Sequence, residues 1–454
     1  MPYISRNPAT EEVVEEFNAH TRSQVEDALA LSFKAAAKWR ATSFAERGRL
    51  MLKAAELLEQ ENTEVATLLT TEMGKTLASA KGEANKCSTT MRYYSSHAEA
   101  MLQEELIDSS ASRSGVRYEP LGAVFAVMPW NFALWQVIRF AAPTLMAGNV
   151  GVLKHASNVP RAAKYLEGLF LRAGFPEGCF INLFVDHDDV SFIIGDDRIA
   201  AVTLTGSEGV GRTIAKTAGE NLKKCVLELG GSDAFIVGAS ANLAYTIPMA
   251  VTARIQNNGQ SCIAAKRFIV VRERADEFVD AFVAGMAAAI VGDPMDEKTV
   301  VGPLANAAQR DLIAQQVEKS VAQGATLRCG GVLPVGKGFY YPPTVLTDVP
   351  EDSPAGCEEL FGPVAVVHVV SDLNEAIAVA NSTPWGLGGS IWARDSREID
   401  QAIAGVEAGM VFANAIVASS PELPFGGIKA SGYGRELSTM GIREFTNAKT
   451  FYVA

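Results

Sequence analysis

Residues 199–219 read IAAVTLTGSEGVGRTIAKTAG. An apolar, β-branched run ends in a glycine turn, and a helical pattern opens directly after it. Glycines there let backbone N–H groups approach phosphate at the positive end of the helix. The spacing departs from strict G-x-G-x-x-G, so the stretch marks a strand–turn–helix unit without naming its ligand. Its neighbours extend the pattern. Upstream, GAVFAVM (122–128), LWQVIRFAAPTLMA (134–147), NVGVLK (149–154), RAAKYLEGLFLRAG (161–174) and FINLFV (180–185) alternate short apolar runs with helical patterns. Downstream come KKCVLEL (223–229), and then a second series: AFIVG (234–238), LAYTIPMAVTARIQ (243–256) and RFIVVRERADEFVDAFVAGMAAAI (267–290). Strand and helix alternating at short spacing predict an α/β protein with parallel sheets, which bind ligands at the carboxyl ends of their strands.

Outside this core, residues 23–104 carry apolar positions at helical spacing. SSASRSGVRYEP (109–120) breaks that pattern and predicts a turn or short hairpin. TNAKTFYVA (446–454) predicts a terminal strand without a local partner, which favours pairing with another subunit and hence a homodimer or homotetramer.

Composition narrows the function. With 454 residues, 48% hydrophobic and 20% charged, the chain has ordinary globular character and room for two or three domains. A net charge of −12 argues against nucleic acid or an anionic membrane as partner. No apolar run approaches membrane-span length, and MPYISRNPATEE lacks a secretory pattern, so the cytoplasm is expected. Six cysteines without a CxxC pair, and five scattered histidines, predict neither a disulfide framework nor a metal site.

Four features carry chemical interest. Cys262 sits in NNGQSCIA, among small polar residues. Glu228, in LELGG, ends an apolar strand; it suits a general base with a raised pKa, or an ordinary ion-paired glutamate. Arg139 is the only charged residue between Glu119 and Lys154. A guanidinium in so apolar a stretch needs a partner, either a structural carboxylate or a substrate anion. A helix beginning near Asn131 would put Asn131, Trp135 and Arg139 on one side. Lys154 ends another apolar strand, and no acid follows before Glu167, whereas Arg161 and Lys164 do. That suits either a phosphate or a solvated basic helix face.

PWNF (129–132), TGS (205–207), LELGGSD (227–233), NNGQSC (257–262), EELFGPV (358–364) and PFGGIKASGYGRE (424–436) occur in one order along the chain. Together they strongly resemble the aldehyde dehydrogenase superfamily over essentially the whole length. The resemblance implies a Rossmann-like cofactor domain (1–104 and 119–230), an α/β catalytic domain (231–430) and a small β oligomerisation element (105–118 and 431–454). It implies Cys262 as nucleophile, Asn131 with the Cys262 N–H as oxyanion donors, and Glu228 as the base that hydrolyses a thioester. The leaving group is hydride, so no general acid is needed and the absence of a nearby histidine is explained. For the cofactor it implies Trp130, Lys154, Ser157, Gly206, Ser207, Leu229, Glu359 and Phe361.

Within the superfamily the chain looks most like succinate semialdehyde dehydrogenases, in which residues matching Arg139 and Ser419 hold the substrate carboxylate, with Trp135 alongside. A second arginine found in some members is Gln256 here, with Arg254 close by. Ser157 stands where NAD-preferring relatives commonly carry glutamate, which predicts NADP as cofactor with NAD weaker; His155 replaces a usual proline. Another aliphatic aldehyde or semialdehyde is the alternative substrate. An acyl-CoA-forming relative would usually lack Glu228, and a cysteine hydrolase would want a histidine near the thiol.

Overall fold

The computed structural model describes residues 3–454. Helices Arg22–Trp39, Phe44–Gln60, Asn62–Met73 and Leu77–Met101 fill the stretch that the helical spacing marked. The first three hydrogen-bonded starts are built locally, from Thr21, Ser43 and Thr76 side chains accepting the N–H of the residue three ahead. Their apolar faces, among them Leu29, Met51, Leu58 and Leu69, pack into one core with Val124, Phe125, Val152 and Leu204.

Two large sheets follow. The first has the order Gly432–Tyr433, Lys224–Glu228, Ile199–Thr205, Ala123–Met128, Val150–His155, Phe180–Asn182. Its pairs are parallel except for the Gly432–Tyr433 edge, which runs antiparallel to Leu227–Glu228. Residues 432–433, counted with the oligomerisation element in the sequence, thus close the edge of this sheet. Ala123–Met128 lies in the middle, and the chain winds outward from it in both directions. The turns after Met128 and Thr205 therefore flank the switch point where such sheets take ligands.

The second sheet has the order Thr326–Cys329, Thr344–Thr347, Val364–Val370, Arg267–Val271, Ala234–Val237, Gly388–Trp392, Met410–Ala413, with only its first pair antiparallel. Its central strands are buried almost throughout, as continuous Val/Ile/Phe runs require when both faces are covered.

Glu105–Leu106, Arg113–Pro120 and Thr446–Val453 form a third, antiparallel sheet. The hairpin expectation is met. The terminal strand, however, does find a partner in its own chain, pairing Thr446 with Pro120 through to Val453 with Arg113. Strand periodicity alone could not reveal a pairing between segments so distant in sequence.

The loop bearing Cys262 leaves helix Leu243–Ile255 through three successive left-handed residues, Asn257 (φ 53°), Asn258 (φ 58°) and Gly259 (φ 75°). Asparagine tolerates this region better than most residues. Asn258 is held across the molecule: Nδ2 donates to the Gly74 and Pro303 carbonyls, both at 2.9 Å, and Oδ1 accepts the Gly302 N–H at 2.8 Å. We expect Asn258→Ala to destabilise the protein by about 2–4 kcal/mol, because three buried backbone groups lose their partner. A urea-unfolding midpoint shifted by less than about 0.5 kcal/mol equivalent would show that the bridge contributes little.

Candidate active site

Two cavities meet at Cys262. One, of about 220 Å³, is walled by Lys86, Trp135, Arg139 and Ser419 among others. The second, of about 270 Å³, opens at the switch point of the first sheet. Trp130, Asn131, Gly206, Ser207, Leu229, Glu359 and Phe361 all line it. Cys262 and Gln136 belong to both walls. The half-buried sulfur-bearing residue thus faces one chamber on each side.

Hydrogen bonds fix the backbone around Cys262. Asn257 Nδ2 donates to the carbonyls of Asn131 (2.8 Å) and Gln260 (2.9 Å). Gln260 Oε1 accepts the Ala305 N–H at 3.0 Å. Lys266 Nζ donates to the Cys262 carbonyl at 2.7 Å and pairs with Glu359 at 3.3 Å. Arg254 donates to the Gly259 carbonyl at 2.7 Å and is fully buried, so it braces this loop. Gln256, in contrast, lines the smaller cavity. Asn131 Nδ2 donates one hydrogen to the Gln260 carbonyl at 3.2 Å, and an amide carries two.

The helix after PWNF begins at Trp135. Asn131 stays in the preceding turn, so the single helical face expected for Asn131, Trp135 and Arg139 does not form. Asn131 instead joins the larger cavity while Trp135 and Arg139 join the smaller one.

Arg139 has a structural carboxylate. It pairs with Glu436, donates to Thr205 Oγ1 at 3.2 Å, and lies 4.3 Å from the Phe425 ring centroid. Glu436 was quoted in the sequence only as the end of a motif; nothing local announced it as Arg139's partner. Glu228 stands close to the same charges and lines neither cavity. Burial first, and then the Glu436 carboxylate, hold Glu228 well above the usual carboxylate range, with Arg139 and Arg435 pulling it back. Neither of its oxygens has a hydrogen-bond partner among the described residues.

The larger cavity suits a dinucleotide. Ser207 is the N-cap of helix Glu208–Glu220 and no side chain caps that end, leaving first-turn N–H groups for a pyrophosphate. Trp130 and Phe361 meet edge to face, with ring centroids 5.7 Å apart. Glu359, anchored by Lys266 and by the Gly231 N–H (3.2 Å), presents a carboxylate to a ribose. Lys154 and Ser157 lie beyond this cavity, at and after the end of strand Val150–His155. Lys154 is buried, which lowers its pKa, and Ser157 is exposed. The His155 ring lies between two carbonyls, with Nδ1 3.2 Å from the Met128 oxygen and Nε2 2.8 Å from the Ala133 oxygen. Burial pushes this imidazole down to about 4, and it is a neutral packing residue.

Burial pushes the Cys262 thiol up to about 11, against the pull of Arg139 and Lys266. Alkylation of the free enzyme by iodoacetamide, read on the Cys262 peptide by mass spectrometry, should therefore still be accelerating above pH 9, because only the thiolate reacts. A plateau below pH 8 would contradict this.

The model of the aldehyde dehydrogenase family matches residues 2–451. The chain is 53% identical to succinate-semialdehyde dehydrogenase [NADP(+)] of Mycobacterium avium (strain 104), with 100% of this chain and 97% of the relative covered. It is also 53% identical to succinate-semialdehyde dehydrogenase [NADP(+)] 1 of Mycobacterium tuberculosis (strain ATCC 25618 / H37Rv), both chains covered in full. The crystal structure of succinic semialdehyde dehydrogenase from Streptococcus pyogenes in complex with NADP+ superposes with a TM-score of 0.98 at 38% identity, over 99% of each chain. The two cavities meeting at Cys262 and these full-length likenesses agree: the chain belongs to the aldehyde dehydrogenase family.

Proposed function

We propose that the protein oxidises succinate semialdehyde to succinate with NADP+, NAD+ serving less well. One observation carries the substrate: a single cavity holds the Cys262 side chain together with cationic side chains and the Ser419 hydroxyl. A semialdehyde has an aldehyde at one end and a carboxylate at the other, and a charge-assisted pair selects the second while the thiol takes the first. The naming of the relatives supports the same substrate and cofactor.

In this mechanism the Cys262 thiolate bonds to the aldehyde carbon, and the carbonyl oxygen becomes an oxyanion. The free N–H of Asn131 and the Cys262 N–H donate to it. The larger cavity, through Trp130, Ser207 and Glu359, would hold NADP+, which would supply the hydride acceptor as the C=O bond reforms. Cys262 then carries a thioester. Glu228, once deprotonated, takes a proton from water whose oxygen bonds to the thioester carbon, and the sulfur departs. Burial and the Glu436 carboxylate raise its pKa, which makes it a stronger base than an ordinary carboxylate once ionised. The Glu228 carboxylate must turn from the Glu436 side toward the thioester for this step.

Ser157 supports the choice of NADP. A glutamate there would repel a 2′-phosphate, whereas serine donates to it beside the Lys154 cation. The three-stranded sheet exposes Leu106, Tyr452 and Val453, and we assign it to assembly as a homodimer or homotetramer. Among the described residues no helix is long and apolar enough to cross a membrane. We propose the cytoplasm as the enzyme's location.

Initial rates of nicotinamide reduction with succinate semialdehyde should be faster with NADP+ than with NAD+. Ser157→Glu should swing that preference toward NAD+ by about tenfold or more, a change of ~1.4 kcal/mol. An unchanged preference would remove Ser157 as the determinant, and turnover confined to uncharged aldehydes would overturn the substrate.

A further inference from the structure

Arg139 is the cation that the sequence offers to the substrate carboxylate, yet Glu436 already neutralises it. The same cavity contains a second cation. Lys86, on helix Leu77–Met101, reaches the wall from the opposite side of the chain's fold. Its Nζ donates to Ser419 Oγ at 2.7 Å and lies 4.2 Å from the Trp135 ring centroid. Among the described residues no carboxylate forms an ion pair with it. The nearest acid along its own helix, Glu83, is committed elsewhere: it pairs with Lys75 and accepts the N–H groups of Leu134 (2.8 Å) and Trp135 (2.9 Å).

An ammonium drawn out of water without a counter-ion is costly. Burial, helped by the nearby Arg139 charge, draws Lys86 down to about 8. Trp135 offers only the weaker attraction of a ring face. An ammonium has three donors, and Ser419 uses one. What the site lacks is an anion, and Ser419 is within reach of the same anion.

We propose that Lys86, acting with Ser419, directly holds the carboxylate of the semialdehyde and is the main determinant of preference for carboxylated over uncharged aldehydes. Arg139, its charge matched by Glu436, forms part of the same wall. Lys86 is a specificity residue and takes no part in the bond changes at Cys262. This deepens the substrate reading above and rests on it.

The test compares kcat/KM for succinate semialdehyde and for butanal, which has the same carbon chain without the carboxylate. Both are measured with NADP+ on the wild-type enzyme, Lys86→Met and Lys86→Arg. Lys86→Met should lower the ratio of succinate semialdehyde to butanal about 30-fold, ~2 kcal/mol at 1.4 kcal/mol per factor of ten, in the range of a hydrogen bond to a charged group. The loss should fall on KM more than on kcat. Lys86→Arg should restore the ratio to within about threefold of wild type, as retained charge predicts. Butanal turnover reports whether each variant is folded. Equal losses on both aldehydes, or a ratio that stays within about twofold, would overturn the proposal while leaving the substrate assignment intact. A wild-type enzyme with no preference for succinate semialdehyde over butanal would overturn the substrate assignment itself, and this inference with it.

Discussion

Everything at the site depends on a turn of three left-handed residues, Asn257, Asn258 and Gly259, immediately before the nucleophile. Such a run is unfavourable for a free chain, since side-chain-bearing residues rarely adopt φ near +55°. It persists because both asparagine side chains are tied to backbone groups contributed by other parts of the molecule: Gly74, Asn131, Gly302 and Pro303. Gly259 packs so tightly against the Gly362–Pro363 backbone that a Cβ would overlap it. The turn is thereby a joint between the helical N-terminal region, the cofactor sheet and the catalytic sheet. Cys262 inherits its position from that joint, where the two cavities share a wall.

Charge is distributed around the joint with the same economy of partners. Arg139 faces two carboxyl groups, Glu436 in direct contact and Glu228 at longer range. One buried guanidinium cannot hold two buried carboxylates ionised, and the direct contact favours Glu436 as the ionised one. Glu228 is left as the group that keeps its proton most readily. A carboxyl of that kind is poor as a fixed anion and good as a proton acceptor of tuned strength. On the other side of the sulfur, Lys266 links the Cys262 carbonyl to Glu359, so the anchor of the nucleophile and the carboxylate facing the larger cavity move together.

The sequence carried the α/β alternation openly, because strands buried on both faces must be written as apolar runs and the helices between them must not. Cys262, Asn131 and the glycine turn after Thr205 were singled out by the order of motifs that carries the family resemblance, and the structure brings all three to one cavity. What stayed hidden depends on contacts between distant segments. Glu436 as the partner of Arg139, and the pairing of Thr446–Val453 with Arg113–Pro120, cannot be seen from periodicity. The true start of the helix at Trp135 was hidden too, since the cap-type residue, Asn131, lies in the preceding turn and the helix starts after Leu134 with no side-chain cap. Arg254 was an ambiguous cation until its bond to the Gly259 carbonyl assigned it to the loop. Lys86 drew no notice because a lysine on an amphipathic helix is ordinarily solvated, and only the fold brings Ser419 and Trp135 against it.

The account's central claim is that Cys262 carries the substrate between the two cavities as a thioester which Glu228 resolves. Mixing a Glu228→Gln enzyme with succinate semialdehyde and NADP+, quenching in acid and mapping peptides by mass spectrometry tests this most directly. The account predicts a rapid, single-turnover formation of NADPH and a succinyl group on the Cys262 peptide alone. NADPH formed without acylation of Cys262, or continued turnover with no trapped adduct, would contradict it.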